Sequence, residues 1–242
     1  VKKSIGEAII LAGGFGTRLR KVVSDVPKPM APMDDEGTPF LAFVLDKLVS
    51  QGITQVVLSV GYLASVVQEY FGDTYEGIKI SYVREDEPLG TGGAVKKALR
   101  ICRDDDVFVL NGDTYFDVDL VAMKEEHQRC NADFTLAARE MRDFDRYGAL
   151  EIDENGCVHH FGEKKYCVAG FINGGVYCLR RTLLDNIQQD VFSLEKDFLE
   201  KQVECMHVQA FKSVGYFIDI GVPEDYAAAR EYIVKNKYGI KE

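Results

Sequence analysis

Apolar residues are arranged along the first 140 positions in two alternating ways: short continuous runs, and longer stretches with helical spacing. A short apolar run bounded by turn residues reads as a buried strand, and apolar residues recurring every three to four positions read as one face of a helix. The run at 7–12 predicts a first strand. Positions 40–50 put Phe40, Leu41, Val44, Leu45 and Leu48 on one helical face ahead of Gly52, a residue suited to ending a helix. Further strands are predicted at 55–60, 78–83, 107–110 and 134–138, with helices at 63–71, 93–102 and 120–129. Such alternation implies an α/β fold in which helices connect the strands of a mainly parallel sheet.

After about residue 145 the rhythm changes. Segments 149–152 and 158–161 flank Asp153-Glu154-Asn155-Gly156, a strong hairpin signal that predicts added antiparallel strands. Strands are also expected at 176–179, 208–211 and 217–220, with a helix at 194–202 between them. The last helix is expected to start near Pro223, with Glu224 and Asp225 early and Lys235 late, an order that suits the helix dipole. No linker, repeat or low-complexity stretch interrupts the 242 residues, so a single domain over 1–242 is expected. In open sheets of this type ligands bind beyond the carboxyl ends of the strands, and the residues found there carry the functional reading.

Composition narrows the partners. Twenty-nine Lys and Arg against 39 Asp and Glu give a net charge of −10, which argues against a sequence-independent hold on nucleic acid or on an anionic membrane. The apolar run that follows the opening lysines is too short for a signal peptide or a spanning helix. The six cysteines are scattered, with no CxxC pair and no His/Cys cluster at zinc-ligand spacing, and are expected to be reduced thiols of a cytoplasmic protein. His159 and His160 are adjacent, so on a strand they point to opposite faces and make no paired site.

Directly after the first predicted strand comes Gly13-Gly14-Phe15-Gly16-Thr17-Arg18, followed by Pro27-Lys28-Pro29. Glycines let backbone amides approach a polyphosphate, Thr17 adds a hydroxyl donor, and Arg18 supplies neutralising charge. Lys28 is a second cation, restricted by a proline on each side. A Walker loop would need GxxxxGK followed by Ser or Thr, which is nowhere in the chain, and a dinucleotide fingerprint would need glycine where Leu19 stands. Asp113, in Leu110-Asn111-Gly112-Asp113, follows a predicted strand, and Asp219 stands at the end of another. Both are candidate Mg²⁺ ligands, offering the hard oxygen atoms that this cation prefers. Between a strand and a helix lies Glu85-Asp86-Glu87-Pro88-Leu89-Gly90-Thr91-Gly92-Gly93, whose amides can face a base or a phosphate. Guanine presents two adjacent N–H donors that one carboxylate accepts, which favours GTP, with Glu85 or Glu87 as the reader and Asp86 on solvent.

The string GGFGTRLR followed by PKPM resembles the signature of the sugar-1-phosphate nucleotidyltransferases. The similarity continues through EPLGTGG at 87–93, NGD at 111–113, FGEK at 161–164, NGG at 173–175 and DIGVP at 219–223, in order, with the wording nearest to the branch that transfers guanylyl groups to a heptose 1-phosphate. This resemblance implies a Rossmann-like α/β/α sandwich with a mixed, mainly parallel sheet and no C-terminal β-helix. It implies a nucleotide-binding half over about 1–140 and a sugar-phosphate half over about 141–242. Leu11, Ala12, Gly13, Gly14, Gly16, Thr17, Glu85, Glu87, Gly90, Thr91 and Asn111 would contact the nucleotide, and Arg18 and Lys28 would be catalytic. Tyr147, Gly148, Glu163, Lys164, Asn173, Gly174 and Gly175, with Asp113, would receive the sugar 1-phosphate, and Asp113 and Asp219 would hold Mg²⁺. UTP, dTTP or CTP as donor, mannose or glucose 1-phosphate as acceptor, a homo-oligomer, a non-catalytic sugar-nucleotide sensor and, last, a nicotinamide-dependent oxidoreductase are the alternatives weighed.

Overall fold

The structure, a computed structural model, describes residues 5–14, 19, 23 and 26–238. Strand β1 (Gly6–Leu11) leads through a 3-10 turn at Lys28–Met30 to helix α1 (Phe40–Gln51), which Gly52 ends in the left-handed region at φ 93°. There follow β2 (Ile53–Val60), α2 (Ala64–Phe71), a two-residue β3 (Thr74–Tyr75), β4 (Ile78–Arg84), α3 (Gly90–Leu99), β5 (Asp106–Asn111), β6 (Thr114–Phe116) and α4 (Leu120–Arg129). The Asp119 carboxylate caps α4 by accepting from the Ala122 amide at 3.0 Å, the role for which short acceptor side chains are favoured. The second half contributes β7 (Phe134–Phe144), β8 (Gly148–Ile152), β9 (Val158–Lys164), β10 (Cys167–Arg180), a π-helical segment at Leu194–Leu199 running into α5 (Glu200–Gln202), β11 (Val208–Ser213), β12 (Phe217–Asp219) and α6 (Pro223–Tyr238). No helix among the described residues is long and apolar enough to cross a membrane.

The main sheet runs β11-β7-β10-β5-β1-β2-β4-β3, with the β8–β9 hairpin attached through β10. The neighbours β5, β1, β2 and β4 are parallel, β10 is reversed against both β5 and β7, and β11 returns parallel to β7. The chain thus moves outward from β1 to β4, then crosses back to place β5 on the other side of β1. That reversal opens the crevice in which such sheets bind ligands. Each face of the sheet carries its own core. Ala8 and Ile10 of β1 pack with α1, α2, α4 and α6, whereas Ile9 faces α3 and the π-helical segment. Two helical layers therefore enclose one sheet, the α/β/α sandwich that the resemblance implied.

Several boundaries differ from the pattern, each for a physical reason. β7 extends to Phe144 and β10 begins at Cys167, because their outer halves pair with each other where residues such as Arg139, Glu140 and Arg142 carry no apolar signal. Helix α3 starts at Gly90 rather than at 93 and ends at Leu99 rather than 102, its glycine-rich first turn held by packing and not by propensity. The helix expected at 194–202 is mostly π-helical. β6 was not anticipated, being three residues long, yet it pairs with β12 in a separate antiparallel ribbon. The hairpin turn also gathers ligand-type atoms of Asp153, Cys157 and His159 to within 4.8 Å of one another, a grouping that linear spacing did not suggest. There His159 Nε2 lies 3.0 Å from Asp153 Oδ2, while Asp153 Oδ1 accepts the amides of Asn155 and Cys157.

All six cysteines are free thiols. Cys102 and Cys178 are buried in the two cores, and burial pushes both thiols up, Cys102 to about 12, where the nearby Glu7 charge adds to the effect. Because the thiolate is the reactive form, an aromatic disulfide reagent should label exposed Cys205 in the native protein and reach Cys102 and Cys178 only in denaturant. Peptide mapping of the labelled chain checks this, and native-state labelling of either buried thiol would contradict the core described.

Candidate active site

The crevice forms where β1 and β5 end side by side. Leu11 and Asn111 are register partners at the last rung, and the Gly112 amide then donates to the Leu11 carbonyl at 3.0 Å. Any side chain at Gly112 would collide with that carbonyl, so the two strand-end loops can approach this closely only through glycine. Around the junction lies a cleft of about 630 Å³ whose walls include Leu11, Gly13, Gly14, Lys28, Glu85, Asn111, Asp113 and Gly221. Its size suits a nucleotide-scale ligand. Ala12 is buried behind it, its amide donating to the Ser59 carbonyl.

Lys28 reaches the cleft floor from the 3-10 turn, with Pro27 at φ −64° and Pro29 on either side. Its side chain is only 10% exposed, and Nζ lies 2.6 Å from Asp113 Oδ2 and 3.6 Å from Asp219 Oδ1. The two aspartates are far apart in sequence but adjacent in space because β12 lies antiparallel to β6 with Asp219 opposite Thr114. The Ile220 amide also donates to the Asp113 carbonyl at 2.9 Å. Burial and the Asp113 charge raise the Asp219 carboxyl above its ordinary range, an effect the Lys28 ammonium opposes. Two carboxylates converging on one cation form a donor set of hard oxygens, the chemistry that a divalent cation requires.

One wall of the cleft continues from β4. Of its three acids, Glu85 is the one held in place: Oε1 accepts from Ser59 Oγ at 2.9 Å and Oε2 from the Leu89 amide at 3.2 Å. It lies against Gly13, where a Cβ would come within 2.5 Å of Oε1. Glu87 is exposed and Asp86 is 85% exposed beside Arg84. The expectation that the amides of this segment are free to face a ligand is corrected at Gly92 and Gly93. Both donate to the Phe192 carbonyl, at 2.9 and 3.4 Å, and side chains there would collide with the Phe192 ring and the Asp190 carbonyl. Gly90, at φ 71°, is pressed on the Phe192 backbone. Thr91 lines the cleft, but its hydroxyl donates to Glu195 Oε2 at 2.7 Å and accepts from the Leu194 amide at 2.8 Å.

Of the residues expected to receive the sugar phosphate, Asp113 lines this cleft and the other seven do not. The Tyr147 ring meets Phe217 edge-on at 6.0 Å, and burial followed by the Asp219 charge pushes its hydroxyl up to about 12. Gly148 packs directly on the Gly162 carbonyl and pairs with Lys164, which like Glu163 is exposed. Asn173 donates to the Tyr177 hydroxyl at 3.0 Å and accepts the Gly175 amide at 3.0 Å. Gly174 abuts the Phe116 ring, and Gly175, at φ 71°, lies where a Cβ would come 2.6 Å from the Asn111 amide nitrogen. Gly16, Thr17 and Arg18 lie outside the described residues. Sequence reasoning overlooked Ser59, Gly61 and Gly221, although the first two end β2 and so carried the strand-end signal. It also overlooked Glu195, in a helix that gave none.

A family profile described as nucleotidyl transferase matches residues 7–236. The chain is 49% identical over 226 residues to a D-glycero-alpha-D-manno-heptose 1-phosphate guanylyltransferase of Aneurinibacillus thermoaerophilus, covering 93% of this chain and 97% of that protein. It is 47% identical to the Campylobacter jejuni protein of the same name, covering 91% and 96%. The crystal structure of HddC from Yersinia pseudotuberculosis complexed with GMP-PN superposes with a TM-score of 0.84 at 38% identity, covering 94% of this chain and 99% of that one. The UTP-bound UGPase of Acinetobacter baumannii, at 22% identity and a TM-score of 0.81 over 96% of this chain and 94% of that one, shares the fold. Strand-end glycines, a proline-bracketed lysine and a profile spanning both halves of the sheet agree: the chain belongs to the nucleotidyl transferase family.

Proposed function

We propose that the protein transfers the guanylyl group of GTP to D-glycero-α-D-manno-heptose 1-phosphate, releasing pyrophosphate and supplying GDP-heptose for surface polysaccharide assembly in the cytoplasm. The observation that carries the reading is Lys28 held between Asp113 and Asp219 on the floor of a nucleotide-sized cleft. Near-half identity over almost the full length of two heptose 1-phosphate guanylyltransferases supports the donor and the acceptor. Glu85 supports guanine in particular, because a fixed carboxylate accepts from two neighbouring donors and pyrimidine bases offer no such pair.

In the proposed reaction a phosphate oxygen of the sugar 1-phosphate forms a bond to the α-phosphorus while the bond to pyrophosphate breaks in line. The attacking oxygen is already anionic at neutral pH, so no general base is required, and alignment and charge neutralisation carry the rate. Lys28 would neutralise phosphate charge at the cleft floor. Asp113 and Asp219 would hold Mg²⁺, which when bound screens the meeting anions and stabilises the leaving pyrophosphate. Gly13 and Gly14 would let the β1 loop approach the triphosphate, and Tyr147, beside Asp219, would close the acceptor side.

Pyrophosphate release measured for four nucleoside triphosphates against heptose, mannose, glucose and N-acetylglucosamine 1-phosphates should be strong for GTP with heptose 1-phosphate. Preference for another pair would overturn the assignment. Lys28→Ala and Asp113→Ala should each lower kcat by about 10²–10³-fold, as for loss of one charge-stabilising contact in a dry site, with an unchanged circular dichroism spectrum. Near-normal turnover by either would remove its role. Glu85→Gln keeps one acceptor but adds a donor facing guanine. It should lower kcat/KM for GTP about 10- to 100-fold, from the loss of roughly 1–3 kcal/mol of base discrimination, and change little for UTP. Equal effects on both nucleotides would assign Glu85 to the scaffold instead.

A further inference from the structure

Behind the cleft the carboxylate of Glu195 sits among hydroxyl groups. Glu195, in the π-helical segment, accepts from Thr91 Oγ1 at 2.7 Å and Ser193 Oγ at 3.1 Å through Oε2, and from the Tyr177 hydroxyl at 3.1 Å through Oε1. Each of these hydroxyls also accepts from an N–H. Thr91 accepts from the Leu194 amide at 2.8 Å, Ser193 from the Lys196 amide at 3.1 Å, and Tyr177 from Asn173 Nδ2 at 3.0 Å. A hydroxyl has one proton to donate. Three hydroxyl protons are therefore aimed at the same carboxylate, and their orientation is fixed by it.

The chain of bonds has two ends, and both matter. Thr91 stands in the wall of the nucleotide cleft at the start of α3. Beyond Tyr177, which is buried in the sheet, Asn173 fixes the Gly175 amide at 3.0 Å, and Gly175 in turn lies against the Asn111 side chain at the end of β5. Asn173 sits at the point where the β7–β10 register shifts, so its place is not secured by the ladder alone. We infer that Glu195 is a positioning residue for nucleotidyl transfer, tying the nucleotide wall at Thr91 to the acceptor side at Asn173 so that both substrates are held in mutual register. This rests on the proposed reaction, with Asn173 on its acceptor side. The π-helical turn has a function in this account: it brings Ser193, Leu194 and Glu195 together against Thr91, and such turns concentrate at functional sites.

Glu195→Gln changes no volume but replaces one acceptor oxygen with a donor facing hydroxyls whose protons already point at it. It should raise the KM for GTP and the KM for the sugar 1-phosphate, each by about fivefold or more, since roughly 1 kcal/mol is lost per broken hydrogen bond. Thr91→Val, a milder variant, should raise mainly the KM for GTP. Tyr177→Phe should raise mainly the KM for the sugar 1-phosphate. Thr91→Val added to Glu195→Gln should have less effect than it has alone, because the bond is already gone. If the wild-type enzyme turns over and Glu195→Gln leaves both KM values unchanged, or lowers only thermal stability, the positioning role is refuted. Fully additive effects of the two substitutions would refute it as well. A wild-type enzyme without turnover on this substrate pair would instead refute the proposed reaction.

Discussion

One ammonium group and two carboxylates organise the site. Lys28 lies within 2.6 Å of Asp113 and 3.6 Å of Asp219, and the three residues come from an irregular turn, the end of β5 and the end of β12. Burial first, and then the like charge of Asp113, raises the Asp219 carboxyl above its ordinary range, and the Lys28 ammonium opposes both. A surface ion pair would contribute little, but the Lys28 side chain is largely buried and held between two prolines, so less entropy is lost in aiming it. Everything around it serves to keep the three groups converged. The β6–β12 ribbon places Asp219, the Gly112–Leu11 contact places Asp113, and the turn at 28–30 places Lys28.

The glycines divide into two kinds. At Gly13 the missing side chain leaves room for Glu85, and at Gly112 it lets two strand ends meet. At Gly92, Gly93, Gly148 and Gly174 it lets another segment pack on the backbone, against Phe192 and Asp190, Gly162, and Phe116 respectively. A glycine-rich string next to a cleft is thus as much a packing device as a cradle for phosphate. Two amides that seemed available to a ligand are already bonded to the Phe192 carbonyl.

Much of the first half was legible because its strands and helices are amphipathic or wholly apolar, and because functional residues follow strands. Asp113 and Glu85 were singled out because they follow strands and Lys28 because prolines flank it; all three line the cleft, and the structure separates Glu85 from Asp86 and Glu87 by what each side chain touches. The closeness of Asp219 to Asp113 depends on β6, whose three residues give no periodicity to read. The outer half of β7 alternates too many charged residues to look like a strand. Glu195 was illegible for another reason: a lone acid in a helix reads as a solvated residue, and only the fold shows three hydroxyls turned toward it. Local patterning sees apolar periodicity and turn chemistry, and it does not see contacts between residues a hundred positions apart.

The most direct test of the convergence at Lys28 is crystallographic. Crystals grown with a non-hydrolysable GTP analogue and Mn²⁺ in place of Mg²⁺ should show an anomalous peak about 2 Å from oxygen atoms of both Asp113 and Asp219, with Lys28 turned toward the phosphates. A metal ion bound through the nucleotide alone, with the two carboxylates still closed on Lys28, would contradict the account.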